Sequence, residues 1–351
     1  MDASTSSAPR VVVFGVGGTI AMTGAPGSGV VPDLSAGQLI DAVPGLAELG
    51  ITIEVDDFRR KPGASLTFQD IHQLGEAIAS CLASGDVDGV VVTQGTDTIE
   101  ESSYLLDLYH ASPQPVVVTG AMRNPTLAGA DGPANVLAAI QVAADPVARD
   151  QGCLVVMADE IHAARRVRKS HSTSGSTFTS PNGGPLGWVV EGRPYLANRL
   201  IHRLLVPQPT RPVRVGLATI AFDDDGVMMK AAAPHLDGLV VAAFGVGHLP
   251  AGLVPLVTEI AERIPVVLAT RTGSGSTLRS TYAFDGSERD LLSRGLVGSG
   301  YLDPLKARIL LNCLLAADTA RPLISTAFEV AGGHADAQLW PWPSPPTLVR
   351  T

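Results

Sequence analysis

The sequence predicts an α/β fold of two domains: a larger N-terminal domain on a mainly parallel sheet and a smaller C-terminal α/β domain. Three observations predict it. Short β-branched runs alternate with helical periodicity along the chain, the order that builds strand–helix–strand units. The runs are continuously apolar, as in strands covered by helices on both faces. The stretch VPQPTRP at Val206–Pro212 holds three prolines in seven residues and can continue neither a helix nor a central strand. A length of 351 residues also fits two domains at roughly 150 residues each. The division is therefore 1–206 for the N-terminal domain, 207–213 for a linker, and 214–351 for the C-terminal domain with its Pro/Trp-rich tail.

The first strand is read at Val11–Phe14. Phe68, Ile71, Leu74, Ile78 and Leu82 then recur at spacings of three and four, which marks one helix face. Thr67 stands as its N-cap, and Asp70 adds acid to the first turn. Val90–Thr93 is the next strand. A helix follows from Thr98, where Glu101 completes a capping box ahead of Leu105, Leu106 and Leu108. After the strand Val116–Thr119, Pro133 opens a helix through Leu137, Ile140 and Val142. Leu154–Met157 is a further strand of this domain. The second domain takes its strands from Val213–Ile220, Leu239–Ala243 and Val266–Ala269. The tail from Gly332, containing WPWPSPP, reads as an extended surface segment.

Composition excludes several function classes. Hydrophobic residues are 45% and charged residues 17%, so the chain can build cores and is neither disordered nor a coiled coil. The net charge is −9, and the only dense basic run is Arg165, Arg166, Arg168 and Lys169. That balance disfavours a nucleic-acid partner. No apolar run approaches the roughly 18 residues of a membrane helix. The first ten residues lack the apolar centre of a signal peptide, so a cytoplasmic protein is expected. Cys81, Cys153 and Cys313 are far apart and read as buried free thiols.

Three strands of the first domain run into small, hydroxyl-bearing loops: Gly15–Thr19, Thr93–Thr98 and Thr119–Arg123. In an open parallel sheet, ligands bind at the carboxyl ends of strands, and these loops converge there if their strands are neighbours. Glycines let a ligand approach the backbone and leave amide N–H groups free. A dinucleotide fingerprint started at Gly15 and Gly17 fails, because its third glycine falls on Ile20. There is no HExxH and no Cys/His cluster, so no metal or cofactor is expected, and GxSxG is absent. What remains is threonine with lysine and acid. A threonine hydroxyl becomes nucleophilic once a base takes its proton, and a desolvated lysine can be that base. Singly, each residue has a plainer reading: Thr96 in a turn, Asp97 as a cap, Lys169 in a solvated basic run.

GVGGTIA around Thr19 and QGTDTIEES around Thr96 resemble the two threonine motifs of the bacterial-type L-asparaginases. TGAMR, ADGPAN, RRVRKSHSTSGSTFTSPNGGPLG around Lys169 and LDPLKARILL extend the resemblance over most of the chain. It implies a two-domain amidohydrolase that forms a homotetramer of tight dimers. Each site would lie between the first domain of one subunit and the second domain of its neighbour. It implies Thr19 as nucleophile, with Thr96, Asp97 and Lys169 as the second threonine, the acid and the lysine. Gly18, Ala64, Ser65, Gly95, Thr96, Asp97, Ala121, His248 and Glu288 are the implied substrate-binding set. Within it, Asp97 and Glu288 hold the substrate amine, and Thr96 N–H and Ala121 meet the developing oxyanion.

Several positions depart from the family pattern. The segment Ala21–Ile40 lacks the tyrosine that activates the first threonine. Gln94 replaces a histidine, and Gly63-Ala64-Ser65 replaces a serine followed by a longer polar residue. His248 stands where an asparagine often faces the neighbouring site. The expected reaction is hydrolysis of L-asparagine. Three alternatives stay open: a specialised amidase on glutamine, a D-amino acid amide or a larger amide; a non-catalytic binding protein on the same fold; and an ammonia-donating amidotransferase subunit.

Overall fold

Val11, Val13, Val91 and Val117 have no exposed surface, and their burial marks the centre of the first unit. A computed structural model of the chain describes residues 8–18, 20, 22–23, 31–32 and 35–345. It divides into two compact units, one through Arg203 and one over Leu204–Pro345. The division falls just upstream of the Pro-rich stretch, because Leu204 and Val206 are buried and the Trp340 indole donates to the Leu205 carbonyl at 2.7 Å.

The first unit contains β1 (Arg10–Gly15), the small ribbon β2 (Met22–Thr23) and β3 (Val31–Pro32), α1 (Ala36–Asp41), β4 (Thr52–Asp56), α2 (Phe68–Leu82), β5 (Gly89–Thr93) and α3 (Ile99–Tyr109). It continues with β6 (Val116–Thr119), α4 (Gly132–Ala144), β7 (Cys153–Met157), β8 (Glu160–Ala163), β9 (Arg168–Lys169), β10 (Phe178–Thr179), β11 (Gly187–Val190) and β12 (Arg193–Leu196). Its main sheet has eight strands in the order β12-β11-β8-β7-β6-β5-β1-β4. The run from β4 to β7 is parallel; β8, β11 and β12 add antiparallel strands at the other end.

Side chains alternate across a strand. Val11, Val13, Val91, Val117 and Leu154 share one face with Val136, Ala139 and Ile140 of α4. Val12, Val90, Val92 and Val118 point the other way and are buried too, which is why these runs read as continuously apolar. Each such valine contributes roughly 1.5–3 kcal/mol relative to exposure.

Helix α2 starts as the sequence predicts. Thr67 accepts from Asp70 N, and Asp70 reaches back to Thr67 N at 3.0 Å. The capping box expected at Thr98 does not form. Residues Thr96–Thr98 make a 3₁₀ turn into α3, and Thr98 Oγ1 donates instead to the Gly63 carbonyl at 3.0 Å. The hydroxyl is used across loops rather than along its own helix. Cys153 and Cys313 are buried, whereas Cys81 on α2 is only partly so.

The second unit has a four-stranded parallel sheet, β13-β14-β15-β16. Its elements are β13 (Val215–Thr219), α5 (Val227–Ala232), β14 (Gly238–Ala243), α6 (Val254–Arg263), β15 (Val266–Thr270), α7 (Glu288–Ser293), β16 (Val297–Gly298), α8 (Pro304–Ala316) and α9 (Arg321–Ala331). Asp303 caps α8 by accepting from Leu305 N and Lys306 N, with Pro304 at the first helical position. The tail is not simply extended on the surface: Ala337–Leu339 form a 3₁₀ turn and Trp340 is buried. The indole has found an apolar slot and a carbonyl for its N–H.

Candidate active site

The neighbour condition set by the sequence is met. β1, β5 and β6 lie side by side and parallel, with Gly15 opposite Thr93 and Thr93 opposite Thr119. The backbone continues this register into the loops: Val16 N donates to the Thr93 carbonyl at 2.9 Å, and Gln94 N to the Thr119 carbonyl at 3.0 Å. The segment after β4 joins them, since Arg59 N donates to Gly15 O and Lys61 N to Val16 O.

Glycine is required where these loops touch. Gly18 has φ +94°, and a Cβ there would lie 2.0 Å from Gly95 N. A Cβ on Gly63 would lie 2.9 Å from the Gly95 carbonyl. Gly18, Gly63 and Gly95 therefore meet backbone to backbone, which brings Ala64 and Ser65, both exposed, beside the Thr96 turn. Thr19 itself lies outside the described residues.

Thr96 is 5% exposed. Lys169 Nζ donates to Thr96 Oγ1 at 3.0 Å and to Asp97 Oδ1 at 2.9 Å. The lysine reaches the turn from β9, which pairs with β10 through Lys169 opposite Phe178. Val167 and Phe178 are buried and anchor that hairpin. Ser170 and Thr177 lock its far side, with Ser170 N donating to Thr177 O at 2.8 Å. The Lys169 side chain is 15% exposed and that of Asp97 is 65% exposed. An ion pair this open adds little stability, so its consequence is orientation. Gln94 is wholly buried; its Oε1 accepts from Ser102 Oγ at 2.9 Å, tying the end of β5 to α3.

Sequence reading missed the residues that hold Ala121. Asp131 accepts from Met122 N at 3.0 Å and Arg123 N at 2.9 Å. Asn135 Nδ2 donates to Gly120 O at 3.0 Å, while its Oδ1 accepts from Ala158 N at 2.9 Å. The signal was the ADGPAN motif, where acid and amide four residues apart share a helix face. Asp70 holds the neighbouring segment. Burial works to raise its pKa, but hydrogen bonds from Lys61 and Thr67 bring it down to about 2.

The unit-one residues Gly18, Ala64, Ser65, Gly95, Thr96, Asp97, Ala121 and Lys169 thus gather at the carboxyl ends of three adjacent strands. His248 and Glu288 belong to the second unit, where they meet each other: His248 Nε2 donates to Glu288 Oε2 at 3.3 Å. Gly245 and Gly247, with φ +47° and +115°, fold the chain back after β14 so that Phe244 and His248 exchange backbone hydrogen bonds. Glu288 opens α7 behind the cap Ser287. Among the described residues no His, Cys, Asp or Glu group of three or more could hold a metal ion, and no helix is long and apolar enough to cross a membrane.

The chain matches family models for "Asparaginase, N-terminal" over residues 10–202 and "Glutaminase/Asparaginase C-terminal domain" over residues 214–328. It is 36% identical to a "Probable L-asparaginase" of Deinococcus radiodurans, covering 92% of this chain and 98% of that one. It is 32% identical to a "Glutaminase-asparaginase" of Pseudomonas aeruginosa, over 86% and 84%. The crystal structure of a "Probable Cytoplasmic L-asparaginase" from Campylobacter jejuni superposes with a TM-score of 0.82 at 30% identity, covering 91% of this chain and 99% of that one. Fold, site and these relatives define an amidohydrolase acting on a linear amide. The chain belongs to the asparaginase family.

Proposed function

We propose that this chain hydrolyses L-asparagine to L-aspartate and ammonia with Thr19 as nucleophile. The observation that carries the reading is Lys169 Nζ within hydrogen-bond distance of both Thr96 Oγ1 and Asp97 Oδ1. Thr19 Oγ attacks the side-chain amide carbon, and its hydroxyl proton passes to the amide nitrogen that leaves. The resulting oxyanion accepts from Thr96 N–H, with Ala121 beside it. One preorganised donor of this kind is worth about 3–4 kcal/mol of barrier. The tetrahedral intermediate expels ammonia and leaves an ester on Thr19. Water, losing its proton to the Thr96–Lys169 pair, then attacks the ester and releases aspartate as Thr19 Oγ takes a proton back. Asp97 orients Lys169 and holds the substrate amine; Gly18, Ala64, Ser65 and Gly95 shape the carboxylate side.

In this reading the protein is a cytoplasmic homotetramer of tight dimers. His248 and Glu288 of one subunit face the site of its neighbour, and no cofactor, metal, nucleic acid or membrane takes part. The small residues Ala64 and Ser65 favour a second reading, hydrolysis of glutamine, a D-amino acid amide or a larger amide. Ammonia release from L-Asn, L-Gln and their D-forms tests both, with Thr19→Ala as control. Turnover of L-Asn that Thr19→Ala abolishes is expected. No turnover on any amide, or unchanged turnover in the variant, contradicts the reading.

A further inference from the structure

Glu288 is saturated. It has no exposed surface. Its Oε1 accepts from the backbone N–H of Thr281 and of Tyr282, both at 2.8 Å, and its Oε2 accepts from His248 Nε2. Burial raises its pKa, but the N–H donors and His248 outweigh that and leave it below the ordinary glutamate value. The carboxylate is a fixed anion facing inward. The group in front of it is His248, whose side chain is 24% exposed.

His248 is itself held in place. The Tyr282 and Phe284 rings stand edge-on to the imidazole, with centroids 4.9 and 5.0 Å away. They are 44% and 50% exposed, so the rim around the imidazole is aromatic. With Nε2 turned to Glu288, the edge of the ring left over is the Nδ1 side. A substrate ammonium is held best by an anion it can touch. Here Glu288 is covered, and what this face offers is an imidazole in an aromatic rim, which leaves the amine to Asp97 alone in the proposed reading.

We propose that His248, rather than Glu288, presents the atom that meets the amine side of the substrate, and that it makes this enzyme tolerant of linear amides lacking an α-ammonium group. His248 is a specificity-determining residue here, not a catalytic one. The inference rests on the proposed reading that His248 and Glu288 face a neighbour's site. Succinamate, which is asparagine without its amino group, is the probe. Removing the imidazole uncovers Glu288 Oε2 for a substrate ammonium.

The test measures kcat and KM for L-asparagine and succinamate, at one fixed pH, in the wild type, His248→Ala and His248→Asn, with thermal melting to verify folding. In both variants the preference for L-asparagine should rise about tenfold, as Glu288 Oε2 becomes free to accept a charge-assisted bond from the ammonium. The rise should come mainly from a lower KM for L-asparagine. A preference that stays put or falls in the folded variants overturns the inference while leaving the proposed function intact. Ammonia release from neither substrate by the wild type overturns both.

Discussion

Lys169 Nζ and Thr96 Oγ1 lie 3.0 Å apart although 73 residues separate them in the chain. Nothing local dictates that distance. β5 delivers the threonine to the carboxyl end of the sheet, and the β9–β10 hairpin delivers the lysine. In the proposed mechanism the pair makes the Thr96 hydroxyl a relay rather than a passive turn residue. Thr96→Ser keeps the oxygen and should retain activity within about tenfold. Thr96→Val removes it with little change in shape and should cost about 10²–10⁴ in kcat, the usual range for a positioned proton-transfer group. Equal kinetics for the two variants would count against the relay.

Gly18 tests the loop contact. Its backbone is in the left-handed region, and a Cβ would sit 2.0 Å from Gly95 N. Gly18→Ala must push the Gly15–Thr19 and Thr93–Thr98 loops apart. It should lower stability by more than the roughly 1 kcal/mol of an unfavourable φ alone, and activity should fall with it. A variant with unchanged melting temperature and turnover would mean that the loops are not in contact.

Asp131 holds the Ala121 loop through two backbone N–H groups. Asp131→Ala leaves both without this acceptor and should cost about 1–3 kcal/mol, read by urea unfolding. If Ala121 lies at the oxyanion, kcat should drop while KM changes little. Asp131→Asn, which keeps one acceptor oxygen, should recover part of both losses. Loss of stability with kcat intact would assign Asp131 a purely structural role.

Acid should destabilise the first unit in a defined window. Burial lowers the pKa of His110, with Arg203 adding to the effect, and burial lowers that of His162; both reach about 4. The unfolded chain takes up these protons near pH 6.5, before the folded one does. Stability is therefore full above about pH 6.5 and falls as pH drops towards 4, by up to about 3 kcal/mol per histidine. Asp70 adds a second loss below about pH 4, as its folded pKa of about 2 is approached. Chemical denaturation from pH 7 to 4 measures this, and His162→Gln should flatten the slope. A flat profile in the parent protein would contradict the burial of both imidazoles in their neutral form.

The parallel strands were legible because both their faces are buried: Val90–Val92 and Val116–Val118 carry no polar residue to blur the pattern. The antiparallel end was not. β7 turns into β8 through Ala158 and Asp159, and β11 into β12 through Glu191 and Gly192, all at positive φ. Neither Ala-Asp nor Glu-Gly is the turn signal that marks such hairpins, so the surrounding sheet imposes them. β4 escaped notice because it is an exposed edge strand with charged residues. Thr98 misled because its sequence context allows a cap, while its backbone, at φ −123° and ψ 11°, is not the extended one that lets a cap hydroxyl accept from the first turn. The Thr96, Asp97 and Lys169 motifs stood out in sequence, and Asp131 and Asn135 left a signal only as ADGPAN, whereas the aromatic rim of His248 acts through contacts that sequence order does not reveal.

In the proposed mechanism Lys169 drives amide hydrolysis through Thr96. Lys169→Met keeps the length of the side chain and removes its amine. Ammonia release from saturating L-asparagine, measured beside the melting temperature, tests the claim most directly. Steady release by the parent protein is expected, with a loss of about 10²–10⁴ in kcat for a variant that still folds. Release by folded Lys169→Met at the parental rate would contradict it.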